Sequence, residues 1–548
     1  MMNTSTARAR AIVEWVIDAG ATHVVVAPGS RSAPLSWAFA QADEAQAIEL
    51  HVRIDERDAG FYALGIAKAT GQPVAIVVTS GSAVANLLPA VVEAWQSGIP
   101  LVVLTADRPA AVRGLGAAQT INQVGIFSSF TQGSVDLGID DDINDAMAHI
   151  FEPTTFRGPL HLNVQFDLPL MPDSAHVEWE PLKGLHEVSA SESRADSETF
   201  EVPAHGLMIV GDVANLSEAQ AASALADTLG WPVIWEPSAN AHTAPTALAH
   251  GPLLLADPHA LQADMIITVG TVGLSRSVMR SIKVVPEHIA VHLNSAGPDI
   301  PDPVRSASRI LNHIPLATAQ VDPEWLHEWR RRDSVAQNIV QQTLSPNTLT
   351  GPSAALILWD HAGENDQLFV AASWPVRHLE AYAPVREGLR VFGNRGANGI
   401  DGLISSALGV ASNSDSRTYL LIGDVAFLHD VGGLNVPDDQ VHPNLTIVVL
   451  DNDGGGIFSQ LEQGAPAYAR HYERIFGTPH GRDLWVIAES FGIPARRVTT
   501  KSELASGLMH TDAVSGLHVI VCTTGAREHE MELIESIQSR INESLDTN

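Results

Sequence analysis

The sequence predicts an α/β protein of three domains, each a mostly parallel β-sheet flanked by helices. Short runs of apolar, β-branched residues alternate along the chain with longer stretches of helical periodicity. That alternation is typical of parallel sheets covered by helices. With 548 residues, the chain also exceeds the size at which a single hydrophobic core stops growing, so several domains are expected.

The first predicted domain covers residues 1–183. Its first helix precedes Gly20, and Thr4, Ser5 or Thr6 would cap it. Further strands are predicted at 23–27, 74–79 and 101–105, and further helices from about 33, over 60–68 and over 83–96.

Residues 184–203 are predicted to be a linker, because this polar and acidic stretch has no hydrophobic periodicity. The predicted central domain, 204–345, has strands that each run into a glycine-containing or polar turn. The predicted third domain, 350–548, again alternates buried strands with helices. The strands of these two domains are predicted at 206–211, 232–235, 265–270, 368–372, 419–422 and 445–450.

Composition and charge exclude several classes of function. The formal net charge of -31, with 32 basic residues scattered among 63 acidic ones, argues against a nucleic-acid-binding protein. No apolar run approaches the roughly 20 residues of a membrane span, and the N-terminus lacks the pattern of a secretory signal, so we expect a cytoplasmic protein. The single cysteine, Cys522, is predicted to be a buried strand residue rather than a nucleophile.

Polar residues follow two strands of the predicted third domain. Gly423 and Asp424 come directly after the strand 419–422, and Asn452 follows the strand 445–450. Ligands bind beyond the carboxyl ends of parallel strands, so one carboxylate and one amide oxygen can face the same hard cation. Gly454 could add a backbone carbonyl and would let the chain approach a diphosphate closely. The sequence therefore predicts a magnesium site here, with Mn²⁺ as an alternative ion.

The spacing from Gly423-Asp424 to Asn452 resembles the fingerprint of thiamine-diphosphate-dependent enzymes, although Val425 replaces the family's usual third glycine. The resemblance implies the thiamine-diphosphate-binding fold and assigns thiamine diphosphate and Mg²⁺ as cofactors. It also implies that Glu56, in Ile54-Asp55-Glu56-Arg57, is the catalytic carboxyl group that bonds the aminopyrimidine ring of the cofactor. The metal ligands would be Asp424, Asn452 and Gly454, and the cofactor contacts Glu56, Ser80, Ile400, Gly423, Asp424, Asn452, Gly454, Ile457 and Phe458.

Several motifs resemble one branch of these enzymes, the MenD family of 2-succinyl-5-enolpyruvyl-6-hydroxy-3-cyclohexene-1-carboxylate synthases. They are found at residues 27–35, 55–57, 78–86, 104–109, 394–402 and 454–458. The resemblance implies that two dicarboxylates are bound, for which arginine is the suitable partner. The implied substrate contacts are Ser30, Arg31, Arg108, Gln119, Arg276, Ser373, Arg377, Arg395 and Leu461. Ala118 stands where the family often has Asn, so one polar contact is expected to be missing.

The implied reaction is the decarboxylation of 2-oxoglutarate and the 1,4-addition of the resulting carbanion to isochorismate, in menaquinone biosynthesis. The resemblance also implies a homo-oligomer, dimer or tetramer, with the cofactor at the subunit interface. Two alternatives remain open at this point. One is another thiamine-diphosphate carboligase or decarboxylase acting on a smaller 2-oxoacid, for which a single arginine would suffice. The other is a non-catalytic nucleotide- or flavin-binding protein built from α/β domains.

Overall fold

The computed structural model describes residues 3–148, 156–172, 199–213, 215–257, 259–293, 297–440 and 442–546. The chain divides into two compact units. Unit 1 comprises residues 1–193, 396–413 and 430–442, and unit 2 comprises 194–395, 414–429 and 443–548.

The helices and strands alternate through most of the chain. From residue 3 to 172 they are α1 (Thr4–Asp18), β1 (His23–Val26), α2 (Ala33–Glu44), β2 (Glu49–Val52), α3 (Glu56–Thr70), β3 (Val74–Val78), α4 (Ser82–Asn86), α5 (Leu88–Ser97), β4 (Leu101–Asp107), β5 (Gly133–Leu137), α6 (Ile143–Met147) and β6 (Pro159–Gln165). From 199 to 343 they are β7 (Thr199–Val202), β8 (Gly206–Val210), α7 (Leu216–Leu229), β9 (Val233–Trp235), α8 (Gly251–Leu254), β10 (Met265–Val269), α9 (Arg276–Val284), β11 (Glu287–Val291), β12 (Arg309–Leu311), β13 (Leu316–Ala319) and α10 (Pro323–Thr343).

The C-terminal third has the same alternation. Its elements are α11 (Gly351–His361), β14 (Gln367–Val370), α12 (Trp374–Tyr382), β15 (Arg390–Phe392), α13 (Leu403–Ala411), β16 (Thr418–Gly423), α14 (Asp424–His429), β17 (Leu445–Asp451), α15 (Ala469–Tyr472), α16 (Leu484–Ser490), β18 (Ala495–Val498), α17 (Lys501–Asp512), β19 (Leu517–Thr523) and α18 (Arg527–Asp546).

Unit 1 contains one sheet with the strand order β2-β1-β3-β4-β6-β5, and every pairing in it is parallel. Its central strands are fully buried, which explains their continuous apolar sequences. The carboxyl ends of β1, β3 and β4 therefore lie at one edge of the sheet, where the predicted substrate residues of this unit follow.

Unit 2 contains a sheet with the order β12-β11-β10-β8-β9, a two-stranded sheet of β13 and β7, and a sheet with the order β15-β14-β16-β17-β19-β18. The strand pairs are again parallel. One hydrophobic cluster extends through both larger sheets and includes the stacked rings of Trp235 and Trp359, 6.0 Å apart. The parallel sheets flanked by helices confirm the predicted fold class; the domain boundaries stay predictions.

Some predicted element bounds were wrong. Asn3 caps α1 by accepting the Thr6 N–H at 2.9 Å, in place of the three residues proposed, and the helix ends at Asp18. The predicted helix 83–96 is two helices, with Pro89 in the first turn of the second, because proline has no N–H to continue the preceding helix.

The predicted linker 184–203 lies mostly outside the described residues. Its last part forms β7, which pairs with β13, so the linker is shorter at its C-terminal end than predicted. The helix predicted over 60–68 begins already at Glu56. In the described part of the chain, no helix is both long and apolar enough to span a bilayer.

Candidate active site

The predicted cation ligands of unit 2 lie together at the carboxyl edge of its larger parallel sheet. β16 and β17 pair in register from Thr418 with Leu445 to Gly423 with Leu450, so the residues after each strand are neighbours. The buried Asp424 carboxylate accepts the backbone N–H of Asn452 at 3.2 Å and that of Gly454 at 2.8 Å. Asp424 and Asn452 lie 28 positions apart, each at the end of a strand. The sequence predicted that they come together, and the hydrogen bond between them shows that they do.

The amide group of Asn452 is oriented by Glu530, a buried residue of α18. Asn452 Nδ2 donates a hydrogen bond to Glu530 Oε2 at 3.3 Å. Its Oδ1 is buried and has no hydrogen-bond donor among the described residues. A buried amide oxygen of this kind, in a residue whose backbone N–H binds the Asp424 carboxylate, fits a hard cation, since Mg²⁺ takes oxygen ligands.

Gly454 stands where only glycine fits. Its φ is +136°, and a Cβ there would lie 2.0 Å from the carbonyl oxygen of Gly477. Its own carbonyl accepts the Gly456 N–H at 2.9 Å and keeps one lone pair. A backbone ligand at this position is therefore compatible with the structure. At Gly423, a Cβ would meet nothing within 4 Å.

His480 was not predicted, and it adjoins the same carboxylate. Its Nε2 lies 3.4 Å from Asp424 Oδ2 and 3.8 Å from Asp451 Oδ1. The hydrogen bond to Asp424 raises the pKa of His480 against the opposing effect of burial. His480 belongs to no motif and is 56 positions from Asp424, so no local sequence signal marks it.

Three apolar residues that were predicted as cofactor or substrate contacts, Ile457, Phe458 and Leu461, follow Gly454. Ile457 and Phe458 are half-buried in a 3₁₀ helix over Gly456–Gln460, and the Phe458 ring centroid lies 5.8 Å from that of Phe476. Leu461 follows the helix, and its N–H donates to the Phe458 carbonyl at 3.2 Å. The three residues thus lie within one short helical turn and the residue that follows it.

The arginines of unit 2 gather around two buried glutamates. Arg395 is buried, and its Nη2 lies 4.0 Å from Glu236 Oε2. Glu236 also accepts two backbone N–H groups, from Gly273 at 2.8 Å and Leu274 at 2.9 Å. Glu236 was not predicted, because the motifs of the outer segments say nothing about the central sheet.

Arg377 belongs to the same charged group. Burial lowers its pKa, and the nearby charges of Glu380, Arg395, Glu236 and Arg276 also act on it. Burial raises the pKa of the Glu380 carboxyl well above its ordinary value, and the charge of Glu236 raises it further. Arg276, Arg377 and Arg395 therefore share this region with two carboxyl groups, Glu236 and Glu380.

The other predicted substrate residues of unit 2 lie near this group of charged side chains. Ser373 precedes α12 with a φ of +73°, and its carbonyl accepts from Arg377 Nη1 at 2.9 Å. Arg276, the first residue of α9, is exposed. The structure therefore gathers Arg276, Ser373, Arg377 and Arg395, which the sequence placed far apart.

In unit 1, predicted substrate residues follow the carboxyl ends of β1 and β4, and the predicted cofactor contact Ser80 follows β3. The backbone N–H of Arg31 donates to Thr79 Oγ1 at 3.2 Å, and its Nη1 donates to the Phe166 carbonyl at 3.0 Å. Burial lowers the pKa of Arg31, and the neighbouring positive charge of Arg108 lowers it further. Ser30, beside Arg31, is exposed.

Arg108 and Gln119 are held by a loop that crosses this edge. Arg108 Nε donates to Thr120 Oγ1 at 2.6 Å, and its Nη2 donates to the carbonyl of Ala118. Gln119 Nε2 donates to the Ser80 carbonyl at 3.0 Å, while Ser80 Oγ donates to the Gln119 carbonyl at 2.8 Å. The reciprocal pair fixes the loop against the turn after β3.

Glu56 and Ile400 are also in unit 1. Glu56 is the first residue of α3 and is half-buried; Asn86 Nδ2 donates to its Oε2 at 3.4 Å. Ile400, a predicted cofactor contact, lies in the turn before Gly402, whose φ is +65° and which precedes α13. It is half-buried.

Comparison with known proteins places the chain in a family. Residues 7–126 match the N-terminal binding domain of thiamine pyrophosphate enzymes, and residues 376–522 match the C-terminal one. The chain is 39% identical over 534 residues to a protein of Thermobifida fusca named 2-succinyl-5-enolpyruvyl-6-hydroxy-3-cyclohexene-1-carboxylate synthase, covering 93% of this chain and 94% of that one.

Two further relatives have the same name. The protein of Nocardia farcinica is 38% identical over 567 residues, 98% of this chain and 100% of its own. That of Saccharopolyspora erythraea is 37% identical over 530 residues, 92% of this chain and 94% of its own. The chain therefore belongs to the 2-succinyl-5-enolpyruvyl-6-hydroxy-3-cyclohexene-1-carboxylate synthase family of thiamine pyrophosphate enzymes.

Proposed function

We infer that this protein catalyses the reaction for which its relatives are named, joining 2-oxoglutarate, with loss of carbon dioxide, to isochorismate in menaquinone biosynthesis. The observation that carries the inference is the similarity to these synthases along nearly the whole chain, at 37 to 39% identity. The group of arginines in unit 2 supports it, because a site for dicarboxylates needs more than one fixed cation.

Mg²⁺ is proposed as the metal, held by Asp424, Asn452 and the carbonyl of Gly454. The buried Asn452 Oδ1 supports this assignment, because it has no donor among the described residues and its own backbone N–H is bound by the Asp424 carboxylate. Thiamine diphosphate, when bound, supplies the electron sink for decarboxylation. Ile457, Phe458 and Leu461 are proposed to exclude water from the reacting centre.

Glu56 is the proposed catalytic carboxyl group. It begins a helix, is half-buried and, among the hydrogen bonds described, accepts one long bond from Asn86 at Oε2, which leaves Oε1 for the cofactor ring. For the substrates, Arg31 and Arg108 in unit 1 and Arg276, Arg377 and Arg395 in unit 2 are the proposed carboxylate partners. Ser30, Gln119 and Ser373 would add polar contacts.

The assembly proposed for this family member is a homo-oligomer, dimer or tetramer, with each cofactor enclosed by two subunits. A cytoplasmic location also stays a prediction. The similarity to the N- and C-terminal binding domains supports the cofactor part of this proposal, since each contributes cofactor contacts.

The deciding experiment is carbon dioxide release from labelled 2-oxoglutarate, with thiamine diphosphate and Mg²⁺, with and without isochorismate. We expect slow release alone and sustained release with isochorismate, reduced by a factor on the order of 100 or more in Glu56→Gln. Glu44→Gln, an exposed glutamate on α2, is the matched control and should behave as wild type. Release independent of isochorismate would instead identify a decarboxylase or another acceptor.

A further inference from the structure

A cluster of two histidines and a glutamate lies in unit 1, away from the carboxyl edge of its sheet. His23 is the first residue of β1 and pairs in register with Glu49, the first residue of the edge strand β2; His51 follows two residues along β2. The three side chains are therefore on the same face of adjacent strands. None of them is among the cofactor or substrate residues proposed above.

The ligand-type atoms of the cluster are close together. His23 Nδ1 lies 3.2 Å from His51 Nε2. One Glu49 carboxylate oxygen lies 3.7 Å from His23 Nδ1, and the other lies 3.6 Å from His51 Nε2. Two nitrogens bound to one tetrahedral Zn²⁺ at about 2.0–2.1 Å are about 3.3–3.4 Å apart. The nitrogens are thus already at the spacing of metal ligands, and Glu49, with a side chain 54% exposed, is free to close the remaining few tenths of an ångström.

The other side of each ring also faces an oxygen atom. His51 Nδ1 lies 3.4 Å from Tyr62 Oη. His23 interacts with the side chain of Asn413, whose Nδ2 donates to Gly409 and Ser412 and so leaves its carbonyl oxygen for the ring. Metal-binding histidines are typically oriented in this way by an acceptor at the second nitrogen.

Both rings are buried, with one guanidinium and one carboxylate beside them. Burial lowers the pKa of His51 to about 3, together with the nearby His23 and Arg53, and burial lowers the pKa of His23 as well. Arg53, whose guanidinium lies 3.7 Å from the centroid of the Tyr62 ring, opposes a dication, and the Glu49 carboxylate offsets it.

The alternative is a neutral hydrogen-bond chain from Tyr62 through His51 and His23 to Asn413. That chain also gives the ring nitrogens hydrogen-bond partners. It does not explain, however, why a carboxylate lies near both of the nitrogens that face each other. The position of Glu49 distinguishes the two arrangements, and its removal is the natural test.

We propose that His23, His51 and Glu49 form a second metal site, which takes a divalent cation of the Zn²⁺ type with a water molecule at the open position. The cation would join the edge strand β2 to β1 and so stabilise the sheet, independently of the cofactor site. Three protein ligands of N and O type suit Zn²⁺, Co²⁺ or Ni²⁺ rather than Mg²⁺.

The test uses the holoprotein saturated with thiamine diphosphate and Mg²⁺, so that the Asp424 region is already occupied. Crystals soaked in Zn²⁺ are measured at the zinc absorption edge, and Zn²⁺ affinity is measured by competition with a chromophoric chelator. We expect an anomalous peak between His23 and His51, and at least about tenfold weaker binding at this site in Glu49→Gln. His51→Gln should remove the peak.

Glu44→Gln and His259→Ala, both at exposed positions, are the matched controls and should bind Zn²⁺ as the wild type does. Because Glu49 is half-exposed, its variant is expected to fold even if His51→Gln does not. Equal Zn²⁺ affinity and stoichiometry in Glu49→Gln and Glu44→Gln would overturn the proposal, as would an anomalous peak found only near Asp424.

Discussion

At the residue scale, Glu530 has a role that its position in the sequence does not suggest. Its carboxylate accepts a hydrogen bond from Asn452 Nδ2, so the other amide atom, Asn452 Oδ1, is available to the proposed cation. We expect Glu530→Gln to raise the Mg²⁺ concentration for half-maximal activity by about tenfold, because partners of metal ligands typically contribute 10- to 100-fold in affinity. A Mg²⁺ titration of activity measures this. Glu528→Gln, exposed in the same helical turn, should leave the titration unchanged; an equal shift in both would contradict the assignment.

Asp58 gives a pH dependence of stability. Burial raises its pKa from 3.8 to about 7, and the neighbouring Asp430 adds to the effect. The folded protein therefore binds more protons than the unfolded chain between about pH 4 and 7, so the free energy of unfolding falls as pH rises through that range and levels off above it. In Asp58→Asn, we expect the fall between pH 5 and 7 to be smaller by about 1 to 3 kcal/mol.

Thermal unfolding across that pH range, followed by circular dichroism, measures the effect of Asp58. Asp439→Asn, an exposed acid of the same unit, is the control and should keep the wild-type slope. The same slope in Asp58→Asn as in the wild type would mean that the buried carboxyl is ionised throughout.

At the element scale, α3 and α13 approach so closely that their backbones touch through glycines. A Cβ on Gly65 would lie 2.0 Å from the Ser406 carbonyl oxygen, and one on Gly409 would lie 2.1 Å from that of Tyr62. Backbone cannot move aside as a side chain can, so we expect Gly65→Ala to destabilise unit 1 by about 1 to 3 kcal/mol or more.

The matched control for the helix contact is Gly507→Ala. That glycine lies within α17, and its Cβ would meet only the flexible ends of Ile520 and Arg496, at 3.2 and 3.5 Å. Alanine there should be neutral or slightly stabilising, by up to about 1 kcal/mol. Equal changes in the free energy of unfolding for Gly65→Ala and Gly507→Ala, measured by thermal unfolding, would contradict the role of Gly65 in close backbone packing.

At the scale of the whole molecule, the net charge of -31 opposes the proposed assembly. Copies of the chain repel each other, and the repulsion reaches about 30 Å at 0.01 M salt but only about 10 Å at 0.1 M. We expect the dissociation constant of the oligomer to fall by about tenfold or more between these salt concentrations, as measured by analytical ultracentrifugation. A fully active monomer at both concentrations would rule out a cofactor site shared between subunits.

The sequence alone determined the fold class and the family, which the structure and the comparisons confirm. Asp424 and Asn452 were predicted to meet because each follows a buried strand, and neighbouring parallel strands end at one edge. Motifs at residues 27–35 and 394–402 identified the family because their residues are consecutive and need no knowledge of long-range packing. The roles assigned to the individual site residues stay predictions until they are tested.

Only the tertiary structure decided what surrounds those residues. Glu530, Glu236 and His480 lie 78, 38 and 56 positions from residues they contact, in stretches without a motif, and only packing brings them there. The same holds for the cluster of His23, Glu49 and His51, which depends on the register of β1 against β2. Local sequence patterns determine whether each element is a helix or a strand and where its polar ends fall. Long-range packing determines which side chains come close enough to form an ion pair, a hydrogen bond or a metal site.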